Sequence, residues 1–409
     1  MALFDKFQRL AAAKEELDGY GVDPFGVQVE RVISATEGQI EGRPTILAGT
    51  NNYLGLSFDP ECIAAARAAV SVEGTGTTGS RMANGTFAGH LALERELADF
   101  YGRRSAIVFS TGYLANLGIL STVAGPGDVL LLDTDCHASI YDGGRMSGAE
   151  MIRFRHNNAA DLGKRLARLG ERAADAVIVV EGIYSMLGDR APLQAIVEAK
   201  RCYGGYLVVD EAHSLGVLGA HGRGLAEEAG VERDVDFVIG TFSKSLGATG
   251  GFCVSDLPAL DLIRYASRPY VFTASPSPSV IASTRTALRL LRERPALRQR
   301  LWDNAQHLYS ALEKLGFRLG PEVSPVVAVM LDSKAQALAF WRGLLERGIY
   351  VNLMFPPATP NGRCLVRCSV SAAHSPEQIE VICAAFEQLR EISETPVSDL
   401  RAKVSGAAP

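Results

Sequence analysis

Between residues 104 and 255 seven short apolar runs recur, at 106–109, 129–132, 151–154, 177–180, 206–209, 237–239 and 251–254. Most are nearly continuous stretches of Val, Ile and Leu, and helical or loop segments separate them. A strand with no polar alternation is covered on both faces. The pattern therefore predicts an α/β domain, a mainly parallel seven-stranded sheet with helices on both faces. Ligands of such sheets bind beyond the carboxyl ends of the strands, so the polar residues that follow each run are the ones to examine.

The pattern changes near residue 279. Two long helices are expected over 279–316, the second at about 296–315 and stopped by Gly316. A strand follows at 326–331, a helix at about 335–347, strands near 349–354 and 364–370, and a last helix at about 376–391. These make a smaller α+β domain. Ahead of the sheet, Leu3, Phe4, Phe7, Leu10 and Leu17 recur at helical spacing among charged residues, an arm expected to pack on its own body or on a partner subunit. The expected division is an arm and small segment over 1–50, a large cofactor-binding domain over 51–285, an α+β domain over 286–395 and a frayed tail over 396–409.

Composition narrows the class. With 409 residues, 47% of them apolar and 21% charged, the chain has material for more than one buried core and is neither disordered nor a disulfide scaffold. Lys and Arg total 41 against 46 Asp and Glu, which lacks the basic footprint of a nucleic-acid binder. The seven scattered cysteines read as reduced core residues of a cytoplasmic protein. No uncharged apolar stretch is long enough to span a bilayer. A cytoplasmic protein is expected, with peripheral contact to the inner membrane as the open alternative.

Three motifs mislead. Gly74-Thr-Gly-Thr-Thr-Gly79 matches a dinucleotide fingerprint but follows an Ala-rich helical stretch instead of a strand. Asp210-Glu-Ala-His213 spells a helicase-type box, yet no phosphate loop ending in Gly-Lys-Ser/Thr accompanies it. Cys364, Cys368 and His374 lack a second ligand pair, so no metal is expected.

The strand ends carry the chemistry. Ser110-Thr-Gly-Tyr113 opens a helix, whose free N–H groups suit a phosphate. The next exits present His137, then the 181–186 segment, then Asp210 with His213 three residues on. The 237–247 segment brings Lys244 out of an apolar strand into a Ser/Gly-rich turn, where desolvation favours a neutral amine. Singly, each has an ordinary reading as a connector, a core or surface histidine, a turn cap or a loop lysine. Pyridoxal phosphate wants them together: a lysine amine, an acid at the ring nitrogen, a flat group over the ring and a phosphate cup. Lys244, Asp210, His137, and residues 110–113 with Thr241 supply that set.

A resemblance supports this. Asn51-Asn-Tyr-Leu-Gly55, the 74–85 segment, Ser110-Thr-Gly-Tyr-Leu-Ala-Asn116, Asp135-Cys-His-Ala-Ser139, Asp210-Glu-Ala-His-Ser214, Gly222-Arg-Gly224 and Thr241-Phe-Ser-Lys-Ser-Leu-Gly247 are similar to motifs of the α-oxoamine synthases. These are fold-type-I pyridoxal-phosphate transferases that condense an amino acid with an acyl thioester, and the resemblance covers about residues 20–390. The segments around Arg81, at 185–189, 268–275 and 356–360, and Arg367-Cys-Ser369 resemble the branch that uses serine and a long-chain acyl group.

The resemblance implies an acyltransferase that joins L-serine, with loss of carbon dioxide, to a palmitoyl-CoA-like or carrier-protein thioester. The product would be 3-ketodihydrosphingosine, made in the first step of sphingolipid biosynthesis. It also implies the roles. Lys244 bonds to the cofactor and moves the Cα proton; Asp210 pairs with the ring nitrogen; His213 and Ser185 contact the ring hydroxyl. His137 stacks on the ring and helps hold the substrate carboxylate. Gly112, Tyr113, Thr241 and Ser243 surround the phosphate, with Thr273 reaching that of the neighbouring subunit in a homodimer with shared active sites. Arg367 binds the substrate carboxylate and Asn52 lies near the entering acyl group. Two positions depart from the branch, Phe355 where an arginine is expected and Asn51 where tyrosine is common. A sister enzyme using glycine or alanine, and a non-catalytic partner subunit, stay open as alternatives.

Overall fold

The structure, a computed structural model, describes residues 3–20, 23–356 and 358–394. It divides into two compact units. One takes the chain up to Thr50, Met186–Gly188 and the chain from Trp302 onward; the other takes Asn51–Ser185 and Asp189–Leu301.

The second unit is built on seven strands, β1 (Ser105–Phe109), β2 (Val129–Asp133), β3 (Glu150–Phe154), β4 (Val177–Glu181), β5 (Tyr206–Asp210), β6 (Phe237–Thr241) and β7 (Gly251–Ser255). Each coincides with one of the apolar runs to within a residue or two. Their order is β1-β7-β6-β5-β4-β2-β3. β7 runs antiparallel to both neighbours, and the remaining pairs are parallel. Strands β2, β4, β6 and β7 are buried at every position, as their unbroken apolar sequences require. Edge strand β3 is mostly exposed and carries Glu150 and Arg153.

The order reverses between β2 and β4. Right-handed crossovers wound in opposite directions from that point place their helices on opposite faces and open a crevice at the carboxyl ends. The last residues of β2, β4, β5 and β6 are Asp133, Glu181, Asp210 and Thr241, all buried. Four polar side chains thus end four apolar strands along one edge.

The glycine-rich 74–85 segment packs closely on itself. A Cβ on Gly79 would fall 1.9 Å from Asn84 Oδ1. The segment is tied to 274–275 by a Ser80–Ala274 bridge and by a 2.7 Å bond between the Thr77 and Ser275 hydroxyls. Arg81 leaves it to donate to Glu94 at 2.9 Å and to the Val108 carbonyl at 3.2 Å.

In the first unit, Arg43–Leu47 pairs antiparallel with Glu37–Ile40 and parallel with Ile349–Tyr350. A separate antiparallel sheet holds Val326–Leu331, Cys364–Ser369 and Asn352–Met354. The apolar stretch at 349–354 is therefore split between two sheets. Residues 31–47 are built into this unit and do not stand apart, and the division expected at 285/286 falls inside the helix Pro278–Glu293, which lies wholly in the other unit. The core gathers Phe340, Trp341, Phe386 and Val366, with Cys364 and Cys368 among them. His374 is buried too, its Nδ1 accepting from Ser371 N at 2.9 Å, and burial pushes its pKa down to about 4.

The N-terminal helix Gln8–Asp18 buries none of its residues, and Leu3, Phe4, Phe7 and Leu10 are exposed. The expected packing on its own body is realised at Leu17, which rests against Tyr20 and Leu338. All seven cysteines are free; six are buried as expected, whereas Cys202 is exposed. No helix among the described residues is long and apolar enough to cross a membrane. The expected tail at 396–409 lies outside the described residues.

One buried ion cluster braces the exit of β2. His156 faces Asp133 Oδ1 with Nδ1 at 2.8 Å and Asp189 Oδ2 with Nε2 at 2.6 Å. Two carboxylates can only accept, so the ring between them is an imidazolium. Burial opposes that charge, but hydrogen bonds to Asp133 and Asp189 outweigh it and lift the pKa to about 10. Asp133 also accepts from Asp135 N and Asn157 N, which fixes the turn leading to His137. A folded-state pKa above the unfolded value gives stabilisation that is complete below about 6.5 and fades as pH climbs toward 10. We expect His156→Gln to lose about 3 kcal/mol in urea melts at pH 6. The gap to the parent protein should narrow steadily by pH 9.5.

Candidate active site

A cavity of about 260 Å³ opens at the carboxyl edge of the large sheet, where five strand exits converge. After β1, Thr111 Oγ1 accepts from Leu114 N at 3.0 Å and caps the helix α1 (Gly112–Val123). Gly112 and Tyr113, whose N–H groups the first helical turn leaves without intrahelical partners, line the cavity. The opposite wall presents Thr241 and Ser243, their hydroxyl oxygens 2.8 Å apart. Gly112 has to be glycine here, because a Cβ would stand 2.8 Å from Thr241 Cβ.

After β2 the chain turns at 133–137 and presents His137, whose backbone N–H donates to Glu181 Oε1 at 2.5 Å. His137 then precedes the helix α2 (Ala138–Ser147). Burial lowers its pKa and Lys244 lowers it further, against the opposite pull of Asp210 and Asp142. Glu181 and Asp210 end adjacent parallel strands as register partners. Burial, with the charge of Asp210 added, holds the Glu181 carboxyl well above the ordinary range. The Asp210 carboxylate accepts from Ala212 N at 2.9 Å and from Asn116 Nδ2 at 2.7 Å. Beside it, His213 Nδ1 lies 2.7 Å from the Tyr53 hydroxyl.

Glu211 explains the rest of the helicase-like spelling. It is fully buried and accepts the N–H groups of Leu225 and Ala226 at 2.9 Å each, and burial raises its pKa to about 7.

Lys244 owes its place to the antiparallel β7. The chain must reverse between β6 and β7, and Phe242 N bonds Gly250 O at 2.9 Å while Gly247 N bonds Lys244 O at 3.0 Å. The tight reversal sets Lys244 on the carboxyl edge, across the cavity wall it shares with Asp210 and His137.

Of the residues singled out in the sequence, Gly112, Tyr113, His137, Asp210, His213, Thr241, Ser243 and Lys244 line this one cavity. Asn52, Ser185 and Thr273 belong to the same unit but lie outside the lining; Asn52 Nδ2 donates to Ser57 Oγ at 2.6 Å. Arg367 is buried on Cys364–Ser369 in the other unit. Ser110 is a correction: its hydroxyl donates to the Ala274 carbonyl at 2.5 Å and does not line the cavity. Sequence reasoning missed Asn116, Ser139 and Glu181, which do line it. Asn116 follows Gly112 by one helical turn, and Glu181 ends its strand as Asp210 does.

The donor set fits pyridoxal phosphate. N–H groups at a helix start and two hydroxyls suit a phosphate, a buried carboxylate fed by N–H donors suits a protonated ring nitrogen, and a lysine amine stands within the same walls.

The comparisons agree with this geometry. Residues 43–386 match the aminotransferase class I and II family. A serine palmitoyltransferase of Caulobacter vibrioides is 59% identical over 389 residues, covering 95% of this chain and 96% of that protein. One from Sphingomonas paucimobilis is 51% identical, covering 94% of this chain and 92% of that protein. A solved structure described as SPT with a PLP internal aldimine superposes with a TM-score of 0.94 at 50% identity, covering 96% of this chain and all of that one. The chain therefore belongs to the class I and II aminotransferase family, within its pyridoxal-phosphate-dependent α-oxoamine synthases and close to the bacterial serine palmitoyltransferases.

Proposed function

We propose that the chain is a pyridoxal-phosphate-dependent serine C-palmitoyltransferase that condenses L-serine with a long-chain acyl thioester, releasing carbon dioxide and 3-ketodihydrosphingosine. The observation that carries this reading is the meeting of Lys244, Asp210 and His137 in one cavity, in a chain 59% identical to a serine palmitoyltransferase. When bound, pyridoxal phosphate supplies an electrophilic carbonyl carbon for the amino group and a ring that withdraws electrons from Cα.

The protein does the rest by position. Gly112, Tyr113, Thr241 and Ser243 would hold the phosphate, and Asp210 keeps the ring nitrogen protonated. His213 and Ser185 are assigned to the ring hydroxyl. Lys244 would hold the cofactor through its Nζ and, once the amino acid is bound in its place, would be the base for the Cα proton. His137 lies against the substrate and orients its carboxylate, with Asn52 on the acyl side. Holding both substrates in one orientation turns a bimolecular encounter into a local one. We place the enzyme in the cytoplasm as a homodimer whose neighbouring subunit lends Thr273 to the phosphate.

Phe355 and Asn51 make the amino acid the point to test. We expect mass spectrometry of products from palmitoyl-CoA with serine, glycine or alanine to show 3-ketodihydrosphingosine as the dominant product. A higher kcat/KM with glycine or alanine would move the chain to a sister activity. Loss of all turnover in a protein that fails to take up the cofactor would make it a non-catalytic subunit.

A further inference from the structure

Asp210 and His137 are joined through two buried side chains that the reading above leaves without a role. Asn116 Nδ2 donates to Asp210 Oδ2 at 2.7 Å and to Ser139 Oγ at 3.0 Å. Ser139 Oγ lies 2.8 Å from His137 Nδ1, and Ser139 N donates to the same nitrogen at 3.2 Å. Asn116 and Ser139 are 2% and 0% exposed, so bulk water does not compete for these bonds.

Each link dictates the next. An ionised carboxylate only accepts, so the amide of Asn116 must turn its NH2 toward Asp210. Its Oδ1 has no hydrogen-bond partner among the described residues, which means that Asp210 holds the orientation and the oxygen does not. The amide has two hydrogens, and the second goes to Ser139 Oγ. That hydroxyl, accepting from Asn116, has its own hydrogen to give to His137 Nδ1. A backbone N–H can only donate, so Nδ1 receives two donors and must carry a lone pair. A neutral imidazole then bears its hydrogen on Nε2.

We propose that the relay Asp210–Asn116–Ser139–His137 fixes His137 as the neutral Nε2–H tautomer, a hydrogen-bond donor toward the substrate that leaves the Cα proton to Lys244. Asn116 and Ser139 are positioning residues in this scheme. The inference rests on the reading of His137 as a substrate-facing group. The charges acting on the ring are Asp210 on β5, Lys244 on the β6–β7 turn and Asp142 on α2, while Glu181 on β4 takes the His137 backbone N–H. Burial and Lys244 disfavour a second proton on the ring.

The test uses the full-length protein labelled with 15N-histidine, read by long-range proton–nitrogen correlation with and without pyridoxal phosphate, with His137→Asn to assign the ring. The expected spectrum of the parent protein has a pyridine-type Nδ1 and a pyrrole-type Nε2. Ser139→Ala removes the shorter, hydroxyl donor to Nδ1 and leaves only the 3.2 Å backbone N–H, so the Nδ1–H tautomer should appear beside the Nε2–H form and the KM for serine should rise roughly ten-fold, with a smaller change in kcat. A parent protein bearing its hydrogen on Nδ1 overturns the relay without recourse to any variant. So does a Ser139→Ala protein with unchanged nitrogen shifts and unchanged KM. The expected nitrogen pattern in a protein that makes no product from serine would support the relay and defeat the substrate reading, so the two failures are distinct.

Discussion

Lys244→Ala should lower turnover of serine and palmitoyl-CoA by about four orders of magnitude. General acid–base transfer by a positioned group is worth roughly two to four orders alone, and the variant also loses the amine that captures the cofactor. The second loss has its own readout. Borohydride treatment of the holoprotein followed by peptide mapping should leave a phosphopyridoxyl mass on the Lys244 peptide of the parent protein and none on the variant. Lys244 is half-buried on a turn held by backbone bonds from Phe242, Gly247 and Ala248, none of which involves its side chain. The cofactor-free variant should therefore still fold, as its circular dichroism spectrum would show. Turnover within ten-fold of the parent would remove Lys244 from the reaction, and a label on another lysine would identify its replacement.

That prediction could be framed from the sequence, because Lys244 follows an apolar strand and stands in a motif with hydroxyls on both sides. The same logic made all seven strands of the large sheet legible: Val, Ile and Leu without polar interruption have to be covered on both faces. What stayed hidden depends on contacts far apart in sequence. Arg43–Leu47 pairs with Ile349–Tyr350, some three hundred residues away, and no local pattern announces that partner. Asn116 looks like one more polar residue in a helix until α1 is laid beside β5 and its amide meets Asp210. Ser139 reads as a turn residue following His137, and only the curl of the backbone brings its N–H and hydroxyl back to the ring. Glu181 was legible as a strand end, but its high pKa comes from burial and, after that, from lying beside Asp210, facts of packing and strand order. Ser110 failed in the opposite way, since its position at a strand exit suggested a phosphate contact and the fold spends its hydroxyl on Ala274.

Asp210→Asn is the companion to the lysine variant, and it should separate capture of the cofactor from its use. An amide of nearly the same shape can still receive Ala212 N, so the turn after β5 survives. It cannot balance a protonated ring nitrogen. Breaking a buried charge pair from one side costs about 3–5 kcal/mol, which corresponds to roughly two to four orders of magnitude in kcat. Lys244 is untouched, so borohydride should still attach the label to its peptide. The substitution also removes the charge that adds to burial in raising Glu181, whose carboxyl should then titrate lower than in the parent. A third consequence follows from the hydrogen bonds of Asn116. Opposite an amide its NH2 is no longer compelled to face position 210, so the Ser139 hydroxyl need not point at Nδ1, and His137, left with the 3.2 Å backbone donor, should lose its single tautomer together with the rate. A variant that keeps parental kcat would show that the charge at 210 is not used. One that loses both rate and label would assign Asp210 to cofactor retention in place of electron withdrawal.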